Sequence, residues 1–189
     1  MNKHMAKLWA RTTVRSLVVG AVALALSGMA LAQFNAEDFN LYQQSVVKFK
    51  DAIGVIPVTG VAATGAVNLN IVRGVSPGAP WRIAGLAATV NSDGHILVVG
   101  KGLLLANGNG IGTNGSQRVH ASLFCGPAAT ATEFDTDPAG VPLATNGDFT
   151  IAGPLSSVPA APCDTPVLLI RNVGGVWFAA GIPDLRAHY

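Results

Sequence analysis

The chain has 189 residues, of which 12 are basic, 10 are acidic and two are cysteines. Four of the basic residues and none of the acidic ones lie in the first 32 positions, so positions 33–189 have eight basic and ten acidic residues and a formal net charge of −2. This part therefore has no basic excess for binding nucleic acid or an anionic membrane. It is long enough for one domain with a hydrophobic core.

The first 32 residues have the three parts of a secretory signal. A basic start is followed by an apolar run over 17–26, which is shorter than the roughly 20 apolar residues needed to span a bilayer. Ala30 and Ala32 then have the spacing of a signal-peptidase site. We expect a signal peptide over 1–32, cleavage between Ala32 and Gln33, and export of a single domain, 33–189, to the periplasm or the medium. No membrane span is expected in the mature chain.

The segment 35–53 has two interpretations. Apolar side chains recur at helical spacing, at Phe39, Tyr42, Val46, Phe49 and Ile53. Part of the segment also alternates between polar and apolar residues, as a strand does. The sequence predicts one short N-terminal helix here or, alternatively, a strand.

After Pro57 the periodicity of the chain becomes two. The segment 66–72 alternates as a strand, and 81–91 and 95–106 are two apolar arms around the turn Ser92-Asp93-Gly94. This is the pattern of a β-hairpin.

Three further segments complete the pattern. The segment 117–125 alternates and places Cys125 on the core side, 147–151 follows an Asn-Gly turn, and 166–172 and 176–182 form a closing hairpin. Strands at this turn-punctuated spacing predict an all-β fold, an antiparallel β-sandwich or barrel-like domain. The predicted core residues are Val67, Leu69, Ile71, Ile83, Leu97, Val99, Val119, Leu123, Phe149, Ile151, Leu168, Ile170 and Phe178.

The two cysteines, Cys125 and Cys163, are expected to form a disulfide. An even number of cysteines in an exported chain favours this pairing. The residues around them lack the spacing of a metal site, because there is no Cys-x-x-Cys and no histidine close to either cysteine.

One motif resembles a cofactor site. Gly110, Gly112 and Gly115 match G-x-G-x-x-G, and Glu133 follows about 20 residues later. The next segment has strand periodicity, whereas a dinucleotide site needs a helix there. We therefore interpret 107–115 as a hairpin loop and expect no cofactor.

Other polar residues also fall short of a catalytic or metal pattern. Ser92, Asp93 and His95 are triad residue types, but they crowd one turn, whereas a triad needs separated positions. The run that starts at Asp135 and Asp137 begins like a calcium loop but lacks its remaining ligands. No catalytic residue and no metal ligand is predicted.

Trp81 and Trp177 each lie in an apolar strand. This setting favours a core position over stacking on a sugar or a peptide.

Two resemblances accompany these patterns. The motifs Trp81-x-Ile83-x-Gly85-Leu86, the Gly- and Leu-rich run 100–106, and Cys163 before the strand 166–171 look like those of small secreted bacterial β-domain proteins of unassigned function. A second set of features is Phe49 ahead of Ile56-Pro57-Val58, then Thr64-Gly65, a Gly-Leu strand, and an Asn114-Gly115 step before a strand. Over about 49–125 these resemble the chordin-type (CHRD) domain, an extracellular β-domain, without that family's His-x-His element. Neither resemblance supplies catalytic residues.

Two functions follow as expectations. The first is a secreted or periplasmic non-enzymatic domain that binds a protein or cell-envelope partner. The alternative is an extracellular hydrolase whose loop residues converge only in three dimensions. The residues that would distinguish them are His95, His120, Asp135, Asp137 and the loop 107–115.

Overall fold

The computed structural model describes residues 45–55, 60–61, 66–67 and 70–184. The predicted signal peptide over 1–32, its cleavage site between Ala32 and Gln33, and positions 35–44 lie outside the described residues. In the described part, no helix has the length and apolar character needed to cross a membrane.

The described residues form strands and no helix. In chain order the strands are β1 (Ser45–Gly54), β2 (Gly60–Val61), β3 (Ala66–Val67), β4 (Trp81–Arg82), β5 (Gly85–Asn91), β6 (His95–Lys101), β7 (Leu104–Leu105), β8 (Arg118–Cys125), β9 (Thr132–Asp135), β10 (Val141–Pro142), β11 (Phe149–Pro154), β12 (Val167–Asn172) and β13 (Trp177–Pro183).

Most of these strands belong to one antiparallel sheet. Its order is β10–β8–β12–β13–β1–β5–β6–β11, and β9 also pairs with β8. The sheet curls so that β10 and β11, from its opposite ends, contact each other. Near the same seam, the backbone N–H of Ser156 donates to the carbonyl of Asp135 at 2.7 Å. The protein is therefore an all-β domain of sandwich-like or barrel-like form, as predicted.

The helix prediction is wrong for the described part of 35–53, because β1 is a strand paired with β5 on one side and β13 on the other. Its register shifts between Ser45 and Val47 and again between Phe49 and Ala52. Such bulges interrupt the alternation of side chains. With the bulge, the adjacent residues Val46 and Val47 are both buried. The resulting irregular spacing of apolar residues is similar to the spacing that a helix would produce.

Both predicted hairpins are present. β5 and β6 pair around the turn at 92–94, and β4 pairs with β7 beyond them. The predicted arms 81–91 and 95–106 are thus each split into two strands. β12 and β13 pair around the turn at 173–175.

The core consists of two apolar clusters. The larger one lies inside the curl and includes Leu168 and Ile170, which are fully buried. The smaller one lies on the other face of the same strands and includes Leu169 and Trp177. Because both faces of this part of the sheet are covered, the side chains that point to either face are buried there.

Most of the predicted core is confirmed. The buried members are Val119, Leu123, Phe149, Ile151, Leu168, Ile170 and Phe178, and Ile83 packs against them. The side chains of Val67 and Leu69 lie outside the described residues.

Two predicted core residues, Leu97 and Ile71, are instead exposed, and Val99 is only half-buried. The hairpin register explains the error in β6, since Val90 lies opposite Ile96 and opposed residues share a face. Val90 is fully buried, so the inner residues of β6 are Ile96 and Val98. Ile71 is outside any strand.

The predicted disulfide is present: Cys125 and Cys163 are joined, with their Cα atoms 5.0 Å apart. Both tryptophans are buried, as expected for core residues. The ring of Trp81 stacks on Phe178 at a centroid distance of 4.1 Å, and Trp177 donates its indole N–H to the carbonyl of Asn70 at 3.0 Å.

Candidate functional site

An open pocket of about 870 Å³ lies where the two ends of the curled sheet meet. We call it the acidic pocket. It is formed by the end of β9 with the turn after it, by the end of β11, and by the β12–β13 turn. Its lining residues are His120, Glu133, 135–138, 154–156, Arg171 and 173–175.

Arg171 organises one wall of the acidic pocket. Its Nη1 donates to the hydroxyl of Ser122 at 3.1 Å and forms a salt bridge with Glu133, and its Nε donates to the carbonyl of Gly175 at 3.0 Å. The side chain is only 16% exposed. Asp135 lies next to this network, with Oδ1 3.7 Å from the same Nη1. A guanidinium donates in several fixed directions, so one residue holds β8, β9 and the β12–β13 turn together.

His120 lines the acidic pocket from β8. It lies on β8 opposite Arg171 of β12 and is only 4% exposed. Its Nδ1 is buried and has no hydrogen-bond partner. Burial lowers the pKa of His120 below its ordinary value of 6.5, and the Arg171 charge lowers it further, although Asp135 and Asp137 act in the opposite direction. His120 is therefore neutral at neutral pH.

The turn after β9 is held by its own backbone and side chains. The hydroxyl of Thr136 accepts from the N–H of Ala121 at 3.0 Å, which fixes the turn to β8. Asp137 accepts from the N–H of Ala139 at 2.9 Å through Oδ1 and remains exposed. This is an Asx turn, a common local use of aspartate. It leaves the carboxylate at the rim of the pocket.

The charges of the pocket do not balance. Glu133, Asp135 and Asp137 contribute three negative charges and Arg171 contributes one positive charge, so the lining has a formal net charge of −2 with His120 neutral. Among the described residues, no group of three or more His, Cys, Asp or Glu side chains is arranged to hold a metal ion.

A serine, a histidine and an aspartate, the residue types of a hydrolase triad, lie at the pocket, but their hydrogen bonds differ from those of a triad. The hydroxyl of Ser122 donates to Asp135 and accepts from Arg171, and Ser122 is fully buried. A serine nucleophile needs a base that takes its proton and access to substrate. In the described structure that hydroxyl is bonded to an acid and a cation, and His120 makes no hydrogen bond to it.

The structure brings together three of the residues that the sequence singled out: His120, Asp135 and Asp137 all line the acidic pocket. His95 does not. It is exposed on the β5–β6 turn, with Nδ1 3.2 Å from Oδ2 of Asp93.

Asp148, a further acidic residue 11 positions after Asp137, does not line the acidic pocket. Lys101 bonds its carboxylate at 2.8 Å, and the N–H of Gly102 does so at 3.1 Å. These two bonds lower the pKa of Asp148.

The glycine-rich segment 107–115 is a loop between β7 and β8, as predicted, and it leads into a strand. It folds back on itself, since the N–H of Gly112 donates to the carbonyl of Leu105 at 2.9 Å and the N–H of Leu105 donates to Thr113 at 2.9 Å. It contributes no residue to the acidic pocket.

Sequence reasoning missed Arg171 and Ser122. One signal was available: Arg171 directly follows four apolar residues of a predicted strand. A charge in that position needs partners, because a buried charge is unfavourable without them. Identifying those partners required the pairing of β8 with β12.

Comparisons with protein-family models, with curated proteins and with solved structures find no match to this chain. The two resemblances noted in the sequence therefore stay predictions.

Proposed function

We propose that this chain is an exported, non-enzymatic binding domain of the periplasm or the medium, and that the acidic pocket is its ligand site. The observation that carries the proposal is the open pocket itself, where the polar side chains His120, Asp135 and Asp137 meet and the lining has a formal net charge of −2. Glu133 and Asp135 remain within reach of solvent there, with side chains 39% and 38% exposed. A concave place where a few polar side chains converge is the usual setting of a ligand site.

Export is supported by the signal features of 1–32 and by the disulfide, which persists in oxidising compartments. N-terminal sequencing of the protein from the periplasmic or medium fraction tests this part. We expect it to begin at Gln33, and an intact Met1 on protein recovered from the cytoplasm would contradict the proposal.

Binding is tested by hydrogen–deuterium exchange of the purified protein with and without a soluble extract of the cell envelope. We expect slower exchange in 133–138 and 171–175 when the extract is present. Val173→Trp should abolish the protection, because Val173 is exposed at the pocket wall. Ile111→Trp is the matched control, since Ile111 is similarly exposed, at 65% against 59% for Val173, but lies on the 107–115 loop. Unchanged exchange at the pocket with every extract would refute the proposal.

A hydrolase is the second candidate, because His120, Ser122 and Asp135 meet at one place. Their hydrogen bonds favour binding, as described above. Assays with ester, glycoside and peptide substrates distinguish the two functions. Activity that disappears with His120→Ala but persists with His95→Ala would establish the hydrolase and overturn the binding proposal.

A further inference from the structure

We propose that Asn107 and Asn109 are sites of spontaneous deamidation, at which the folded protein converts asparagine into aspartate or isoaspartate. Each event replaces a neutral amide by a carboxylate and so adds one negative charge to the loop between β7 and β8. These sites are independent of the proposed function, because 107–115 contributes no residue to the acidic pocket.

The reaction requires an asparagine side chain within reach of the backbone nitrogen of the next residue. That nitrogen forms a bond to the asparagine Cγ, the bond from Cγ to Nδ2 breaks, and ammonia leaves with the proton of the backbone N–H. A cyclic succinimide results, and water then opens it at either carbonyl to give aspartate or isoaspartate. Glycine is the most favourable second residue, because it has no Cβ to shield its nitrogen and adopts most backbone conformations.

The sequence has four Asn-Gly steps, which begin at Asn107, Asn109, Asn114 and Asn146. In an unfolded chain, steps of the same two residues should react at similar rates. In the folded protein, the asparagine Cγ and the glycine nitrogen must still come together. Hydrogen bonds that hold either group therefore slow the reaction, and the structure divides the four steps into two pairs on this basis.

Asn114 is restrained through both ends of its amide group. Its Nδ2 donates to the carbonyls of Leu143 and Ala144, at 3.0 and 3.1 Å. Its Oδ1 accepts from the N–H of Ser116 at 3.0 Å. The side chain would have to give up these bonds to form the ring, so Asn114 should be protected.

Asn146 is restrained at both reacting groups. Its Oδ1 accepts from the N–H of Asp148 at 3.1 Å, and the attacking nitrogen, that of Gly147, donates to the carbonyl of Ala144 at 2.8 Å. A Cβ atom on Gly147 would lie 2.5 Å from the carbonyl oxygen of Leu103, so the backbone there has little room to rotate. Asn146 should therefore also be protected.

Asn107 and Asn109 lack these restraints in the part of the chain that the structure describes. Both residues are exposed, and their side chains make no hydrogen bond there. The N–H groups of Gly108 and Gly110, which hold the attacking nitrogens, have no backbone partner among the described residues. Gly108 also has no atom within 4 Å of a Cβ position, so the chain around it has room to rotate. These two steps can form the ring without breaking a hydrogen bond.

The test is incubation of the purified protein at mildly alkaline pH, followed by peptide mapping with mass spectrometry. In the folded protein we expect deamidation at Asn107 and Asn109 to be severalfold faster than at Asn114 and Asn146. In urea that unfolds the protein, the four rates should become similar. Equal rates at the four sites of the folded protein, or no reaction at Asn107 and Asn109, would overturn the proposal. The same order of rates in urea would also overturn it, because the fold would then not decide which sites react.

A matched pair of variants identifies the attacking nitrogen. Gly108→Ala should slow deamidation of Asn107 severalfold and leave Asn109 unchanged, because the new Cβ shields the nitrogen of residue 108. Gly112→Ala is the control, since Gly112 lies on the same loop, also has a positive φ with no atom within 4 Å of a Cβ, and follows Ile111. It should leave both rates unchanged. An unchanged rate at Asn107 in Gly108→Ala would contradict the proposed attack.

Discussion

At the scale of single residues, His120 is expected to make the stability of the fold depend on pH. Its pKa in the folded protein is lowered, first by burial and then by Arg171, from an ordinary value of 6.5. On acidification the unfolded chain therefore takes up the proton before the folded one does. The stability that depends on neutral His120 is fully present above about pH 6.5 and is lost as the pH falls through the folded pKa.

Urea unfolding of the wild type and of His120→Gln over about pH 7.5 to 5 measures this effect. We expect the free energy of unfolding of the wild type to decrease more steeply over this range than that of His120→Gln. His95→Gln, at an exposed histidine, should keep the steep dependence. The same slope in the wild type and His120→Gln would contradict the assignment.

Gly147 shows how the backbone constrains a residue at the seam of the sheet. It has a φ of +80°, and a Cβ atom there would lie 2.5 Å from the carbonyl oxygen of Leu103. Gly108 has a φ of +67° but no atom within 4 Å of such a Cβ. We expect Gly108→Ala to cost about 1 kcal/mol for its backbone conformation. Gly147→Ala should cost roughly 2 kcal/mol more because of the contact. Equal unfolding midpoints in urea would contradict this account.

At the scale of elements, the β5–β6 hairpin gives a direct test of which face is internal. Ile96 is 2% exposed and Leu97 is 49% exposed. We expect Ile96→Ala to lower the free energy of unfolding by about 2 to 4 kcal/mol, because it leaves a cavity. Leu97→Ala should change it by less than about 1 kcal/mol. Denaturant unfolding of the two variants measures the difference, and the reverse order would show that the register is wrong.

The same hairpin shows how much of each element the sequence predicts. The turn at 92–94 and the existence of both arms followed from Asp-Gly between apolar runs. The sequence did not predict which face of β6 is internal, because the side chains on both faces of this strand are apolar. Only the pairing of Ile96 with Val90 identifies the internal face. In β1 the bulges produced a spacing that a helix would also give, so local periodicity could not choose between the two.

At the scale of the whole molecule, the acidic pocket depends on the curl of the sheet. The curl brings the turn after β9 to the end of β11, and the β8–β12 pairing places Arg171 opposite His120. These contacts join residues far apart in the chain, as in Arg171 with Ser122, 49 positions away. The sequence identified His120, Asp135 and Asp137 as residues of interest. It could not show that they share a pocket or that Arg171 neutralises part of their charge.

The disulfide stabilises the whole fold and lies apart from the proposed site. It ties the end of β8 to the loop before β12, whereas His120 and Arg171 are at the other end of this strand pair. Closing a segment of 38 residues contributes about 4 kcal/mol on the chain-entropy model. For a domain of this size, its loss should lower Tm by roughly 10 °C.

Calorimetry of a Cys125→Ala, Cys163→Ala double variant measures that shift. Envelope extract should slow hydrogen–deuterium exchange in 133–138 and 171–175 of the same protein as much as in the wild type, since the pocket residues keep their strand pairing. An unchanged Tm would contradict the stabilising role. Weaker protection by the extract in a folded double variant would show that the disulfide also shapes the acidic pocket, because the strand pairing would then not suffice to hold His120 and Arg171 in place.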